Sequence, residues 1–380
     1  MIAQYQKDFS SFDGNIWLNA GSEGPLPVVS IRSLQEAIEW KSKPYLLTNE
    51  RFALAVSDLK DSIGKLINVD PLDVILGNSA SYGLHLMANG IDWRKGDEIL
   101  LMQNDFPSNI LPWLALEKKG VKVIQIKPKE RILTASEFQK AITKRTKLFC
   151  VSHVHTFSGR MLDIAAFGQI CKEKNIVFVV NASHSIGTMP FDISKLAVDC
   201  VVCVGYKWLC GPYGTGFCWI KPEIREQLDI NSAYWLSNLS AGQLQSEEKI
   251  KFNEMHLAKK FDVFGTANFF NFVPLRTSID YFLNLGSNNV RDYQQRLIDR
   301  LLDKLDMDRY QLISSKERSV RSSLVVISHR DNNKNKKIHL DLLSKHIYTA
   351  LWKNNIRITA HVYNSQEDID RLIDVLHSFE

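Results

Sequence analysis

Residues 200–220 read CVVCVGYKWLCGPYGTGFCWI, two apolar runs separated by a lysine and a glycine-rich turn. Neither run, 200–204 or 216–220, alternates apolar with polar residues, so each reads as a strand buried on both faces. Moving toward the N-terminus, similar β-branched runs occur at 73–77 (DVILG), 98–102 (EILLM), 121–126 (VKVIQI), 147–152 (KLFCVS) and 176–180 (IVFVV). Helical patterns lie between them, among them SYGLHLMANG (81–90), ASEFQKAITKR (135–145) and DIAAFGQICKEKN (163–175). That order predicts an α/β domain with a mainly parallel, seven-stranded sheet. Ligands of such open sheets bind beyond the carboxyl ends of the strands.

After residue 270 the pattern changes. Long helices are expected at 276–285, 289–306, 338–354 and 366–379, with one β-rich segment, SLVVISH (323–329). This reads as a smaller α+β C-terminal domain. The expected division is an N-terminal arm (1–15) packing with the small domain, a large domain (16–265) and the small domain (266–380). The stretch from Asn231 to Lys260 is polar and weakly periodic, and its length suggests a lid or a dimer contact.

A chain of 380 residues exceeds one typical core, which agrees with two domains. The net charge of +5 is small, and the most basic stretch, Asn332 to Lys337, reads as a solvated loop. Without a basic stripe, nucleic acid is not an expected partner. The N-terminus lacks the basic and apolar regions of a secretory signal, and no apolar run approaches the length of a membrane span. The six cysteines are scattered, so reduced thiols and a cytoplasmic location are expected. Cys200 and Cys203 lie three apart on one strand and face opposite sides, which suits neither a disulfide nor a metal. No metal site is expected.

The lysine in the opening stretch is Lys207. A lysine directly after a buried strand is awkward unless its amine has a task, because desolvation favours the neutral, nucleophilic form. Four other segments offer companions. GNSASYG (77–83) joins a strand to a helix start, where free N–H groups make a ready phosphate site. VVNASHSIG (179–187) brings Asn181 and His184 to another strand end. DFPSNILPW (105–113) places Phe106 where its face could stack on a flat heterocycle. IRITAHVYN (356–364) places Arg357, suited to bidentate capture of a carboxylate, in a β-type stretch of the small domain. Taken singly, each has an ordinary reading: a surface lysine, a helix cap, a satisfied histidine, a core phenylalanine, a surface ion pair.

Together they resemble the class V aminotransferase family, which includes cysteine desulfurases, kynureninase and the isopenicillin-N-epimerase-like group. Further motifs that carry the resemblance are WLNAG (17–21), ASYG (80–83), SHVHTFSGR (152–160), FGTAN (264–268) and RITAHVYNSQEDID (357–370). The resemblance implies the fold type I of pyridoxal-phosphate (PLP) transferases, with pyridoxal 5′-phosphate as cofactor. It implies that Lys207 forms a Schiff base with the cofactor and then carries the Cα proton. Ala80, Ser81 and Tyr206 would contact the phosphate, and Thr266 would reach the cofactor of a neighbouring subunit, hence a homodimer. Phe106 would stack on the ring, with His184 and Thr156 near its phenolic oxygen and Asn181 at its nitrogen. Arg357 would bind the substrate carboxylate beside the Asn19-Ala20-Gly21 backbone.

Two departures narrow the expected chemistry. The family pattern Asp-x-x-His or Asp-x-x-Gln reads Asn181-Ala182-Ser183-His184 here, so the acid that pairs with the pyridine nitrogen is replaced by an amide. A charge pair at about 4 Å is worth roughly 1–4 kcal/mol, or about one to three pKa units. A less protonated ring and chemistry that avoids a long-lived carbanion follow. The desulfurase reading also weakens, because those enzymes use a cysteine in a C-terminal loop and the last one here is Cys218. The expected function is therefore elimination or cyclisation on an α-amino acid in specialised metabolism. The alternatives are an aminotransferase, an amino-acid epimerase and a non-catalytic PLP-binding homologue.

Overall fold

The computed structural model describes residues 5–252, 257–265 and 268–379. Its strands run, in chain order, from a short β1 (Ile16–Trp17) through β2 (Val74–Gly77), β3 (Glu98–Met102), β4 (Lys122–Ile126), β5 (Thr146–Ser152), β6 (Val177–Asn181), β7 (Cys200–Val204) and β8 (Gly216–Ile220). The last seven form one sheet in the order β2-β8-β7-β6-β5-β3-β4. From β7 to β4 the neighbours are parallel, while β8 runs against both β2 and β7. All seven strands fall within a residue of their expected places. Every residue of β2, β3 and β7 is buried, which is what non-alternating runs require. Cys200 packs into the core on one face of the sheet and Cys203 into the core on the other.

The chain steps outward from β3 to β4 and then returns to β5 on the other side of β3. A crevice therefore opens where the carboxyl ends of β3 and β5 diverge. Helices α1 (Val28–Ser42) and α2 (Asn49–Ile67), absent from the expectations above, pack against the helix Phe269–Leu285. The α2 helix buries Leu59, Ile63 and Ile67, one stripe at four-residue spacing. Helix α3 (Ala80–Gly90) lies directly on the sheet. At its Gly83 a Cβ would come within 2.7 Å of both Cys218 Cβ and Val202 Cγ1, so only glycine permits that approach.

The C-terminal part corrects two expectations. It holds not one β segment but a four-stranded antiparallel sheet of β9 (Tyr310–Leu312), β10 (Val325–His329), β12 (Ala350–Trp352) and β13 (Asn355–Ile358), in the order β12-β13-β10-β9. The helix expected at 338–354 spans Asn335–Ser344 instead. His346 takes the left-handed conformation (φ +60°) and ends it, and Ile347–Tyr348 becomes β11, which pairs with β1. Lys353 and Asn354, both at positive φ, then form the two-residue turn between β12 and β13 that tight hairpins favour. Phe9, Ile16 and Leu18 share a core with Val325, Ile356, Leu372 and Leu376, so the N-terminal stretch is anchored on this sheet. Among the described residues no helix is long and apolar enough to cross a membrane.

Candidate active site

One cleft at the carboxyl ends of the strands is lined by Ser79, Ala80 and Ser81 from the start of α3, and by Phe106 and Ser108 following β3. Ser152 ends β5 and Thr156 follows it, Asn181 ends β6 with Ser183 and His184 after it, and Val204 ends β7 with Tyr206 and Lys207 after it. Eight of the residues singled out in the sequence thus meet in one place: Ala80, Ser81, Phe106, Thr156, Asn181, His184, Tyr206 and Lys207. Arg357, Asn19, Ala20 and Gly21 form a group of their own, described below, and do not line this cleft. Thr266 lies outside the described residues.

Lys207 is partly buried, its Nζ 3.4 Å from His184 Nε2 and 5.5 Å from the centre of the Phe106 ring. Burial and then the charge of Arg357 push its amine down to about 8. His184 is buried, and the Trp208 indole N–H donates to its Nδ1 at 3.0 Å. An indole can only donate, so Nδ1 accepts and the proton of the neutral ring sits on Nε2, facing Lys207. Burial, reinforced by Lys207 and Arg357, holds His184 well below its usual range and hence neutral. The sequence motif named His184, but Trp208 went unread although it directly follows Lys207.

Arg357 emerges from β13 with 2% of its surface exposed. Its NH2 group donates to Ser22 Oγ at 2.6 Å and approaches Asn19 Oδ1 at 3.5 Å, while Nε has no hydrogen-bond partner among the described residues. Burial lowers this guanidinium to about 10. The loop that meets it is fixed at both ends. Gly21 N–H donates to Thr359 Oγ1 at 3.0 Å, and Gly24 N–H donates to the Tyr206 carbonyl at 2.8 Å. A Cβ on Gly24 would stand 2.0 Å from the Lys207 carbonyl oxygen, so residues 19–24 bridge the two cations. Glu23, in this loop, has a carboxyl pushed up by burial and pulled back by Lys207. Ser22 and Glu23 are site residues the motif WLNAG stopped just short of.

The donor set suits a flat ring bearing an aldehyde and a phosphate. The first N–H groups of α3 have no intrahelical partner and are flanked by the hydroxyls of Ser79 and Ser81. Phe106 offers an apolar face, and Lys207 a reactive amine. Ser183 Oγ is buried on the cleft without a partner among the described residues.

Comparison with known proteins bears on the fold and the family. Solved structures with the same fold include the cystine C–S lyase C-DES in complex with its product cysteine persulfide (TM-score 0.86, 20% identity, 97% of this chain and 98% of that one). A cysteine desulfurase from Thermococcus onnurineus gives a TM-score of 0.85 at 20% identity, covering 98% and 96%. Among curated relatives, a probable cysteine desulfurase of Methanothermobacter thermautotrophicus is 24% identical over 78% of this chain and 74% of its own length. The isopenicillin N epimerase of Streptomyces clavuligerus is 24% identical over 94% of this chain and 93% of its own. The architecture is thus that of PLP-dependent fold type I enzymes. The model of the aminotransferase class-V family matches residues 45–372, and the chain belongs to that family. It is accordingly a PLP-dependent enzyme.

Proposed function

We propose that the enzyme cleaves a β or γ substituent from an α-amino acid, with C–S lysis of a cystine-like substrate as the reaction that best fits the site. The observation that carries this is the pairing of Lys207, an amine lowered to about 8, with a buried Arg357 whose Nε has no partner among the described residues. Bound at Lys207, the cofactor supplies an electron sink for the bond broken at Cα. Arg357 takes the α-carboxylate, and Asn19 and Ser22 hold the guanidinium in place. With its amine free, Lys207 would take up the Cα proton at Nζ. His184 donates from Nε2 and cannot accept while Trp208 holds Nδ1, which makes it a fixed donor toward the ring oxygen. Ser79, Ala80, Ser81 and Tyr206 would hold the phosphate, and the face of Phe106 would stack against the ring.

Two features support elimination over a desulfurase-type relay. All six cysteines are buried, so no thiol stands ready to take sulfur from a substrate. The similar C-DES structure belongs to a C–S lyase. A homodimer is part of the same reading: Trp235, Ile250, Phe252, Phe264 and Phe270 are exposed on and beside the segment expected to make subunit contacts. Epimerisation is the second reading, supported by the relative from Streptomyces clavuligerus.

The test is to incubate holoenzyme with cystine and other β-substituted amino acids. Release of the substituent, a 2-oxo acid and ammonia, with the cofactor's spectrum restored, is the expected result. Stoichiometric conversion of the cofactor to pyridoxamine phosphate refutes it. Deuterium incorporation into unchanged substrate marks the epimerase.

A further inference from the structure

Asn181 ends β6 in the place where an acid was expected, but a carboxylate stands close behind it. Asp105, just past the end of β3, is 3% exposed. It accepts four hydrogen bonds: from Phe106 N–H (2.7 Å), Ser152 N–H (2.8 Å), Ser152 Oγ (2.7 Å) and Asn109 Nδ2 (3.1 Å). Among the described residues no lysine or arginine forms an ion pair with it. The nearby His155 spends both ring nitrogens elsewhere, on Ser158 Oγ and the Asn104 carbonyl. Asp105 therefore acts as an acceptor-only carboxylate whose charge is spread into hydrogen bonds.

That charge dictates the direction of the next two links. Asn109, 1% exposed, gives its NH2 to Asp105 and to Ser152 Oγ (2.7 Å). Only its carbonyl is left for Asn181, and Asn181 Nδ2 donates to it at 2.8 Å. The Asn181 carbonyl then accepts from Ser183 N–H at 3.0 Å and keeps one lone pair. Rotating either amide by half a turn would set oxygen against oxygen. Chains of aligned hydrogen bonds in a dry interior polarise one another in one sense. Here the sense runs from the carboxylate outward, and it enriches the Asn181 oxygen in electron density.

We propose that Asp105 is a positioning residue that acts through Asn109 on Asn181, so that the amide supports a protonated pyridine nitrogen in the bound cofactor. The missing acid of β6 is in this sense moved to the end of β3 and relayed through two amides. This rests on the assignment of the cleft as the cofactor site, but not on which reaction the enzyme catalyses. It runs against the expectation from sequence that Asn181 leaves the ring less protonated. A unit charge two residues away at moderate effective dielectric moves the ring nitrogen by about one pKa unit.

The experiment is to load the full chain with pyridoxal 5′-phosphate labelled with 15N in the ring and to read that resonance without substrate. Wild type is expected on the pyridinium side, with Asp105→Asn and Asn109→Ala both displaced toward the free base. Asn181→Asp should restore the pyridinium position in either background, because a direct carboxylate bypasses the relay. The Asn109→Ala variant keeps Asp105 and its Ser152 and Phe106 bonds, so it decides the matter if Asp105→Asn fails to fold. Two results overturn the relay: a wild-type resonance at the free-base position, or an Asn109→Ala resonance that matches wild type. Failure of wild type to bind the labelled cofactor at all overturns the cofactor site itself, a separate and recognisable outcome.

Discussion

Replacing Lys207 with methionine should abolish turnover and, in the cofactor-free protein, make the fold more stable. The amine is lowered from 10.5 to about 8 by burial and by Arg357. Among the described residues its one hydrogen-bond contact is the long one to His184 at 3.4 Å. A folded-state pKa below the unfolded value means that the unfolded chain binds more protons between pH 8 and 10.5. Stability therefore rises with pH across that window, and the penalty is fully present below it. The shift corresponds to about 3 kcal/mol at pH 7 and falls to about 1.5 kcal/mol by pH 9.5. Methionine fills a similar volume without charge, so Lys207→Met should gain about 3 kcal/mol at neutral pH. The gain should halve at pH 9.5. Urea unfolding of both apo proteins at the two pH values measures it. A variant no more stable than wild type at pH 7, or a gain that does not shrink with pH, refutes the electrostatic account of Lys207.

Three further outcomes follow from the same geometry. Arg357→Lys keeps the charge but loses the planar fork, and should lower kcat/KM about 10- to 100-fold, mainly through KM; an equal loss with an amino-acid amide would show that Arg357 does not read the carboxylate. Trp208→Phe should let His184 populate both tautomers and cost about 1–3 kcal/mol of stability. Two-bond proton–nitrogen spectra check this, and a variant still held in the Nε2–H form would show that the indole does not set it. The buried thiols should resist iodoacetamide in the native holoenzyme and react only on unfolding, whereas inactivation by one native-state alkylation would revive a thiol relay.

The large sheet was legible because its strands, the edge strand β4 apart, are largely buried on both faces and bounded by turns, so neither period nor length was ambiguous. Helix α1 was harder to see, since only Ser30 and Ala37 are buried and no apolar stripe marks it. The β11–β12 region misread as helix depends on His346, Lys353 and Asn354 adopting positive φ, a backbone choice that lysine rarely makes. The candidate site divides in the same way. Residues lying directly at strand ends, such as Phe106, Asn181 and Lys207, carry local signals. Ser22 and Asp105 matter only through partners 335 and 47 residues away, Arg357 and Ser152, and no local pattern announces such pairs.

The two cations of the site also explain each other. Burial and then Arg357 lower Lys207, and burial with both cations lowers His184, so without substrate the cleft holds a weakened base at Lys207 beside a neutral imidazole. Glu23 offsets part of this, as the last in order of the influences on Lys207. In the proposed reaction a substrate carboxylate on Arg357 cancels the charge that depresses Lys207. The proton affinity of the amine then rises just when it must accept a proton from Cα. A molecule without an α-carboxylate would leave Arg357 uncompensated and Lys207 a weaker base. On this reasoning Arg357 selects amino acids twice, once by binding them and once by making the base competent only in their presence.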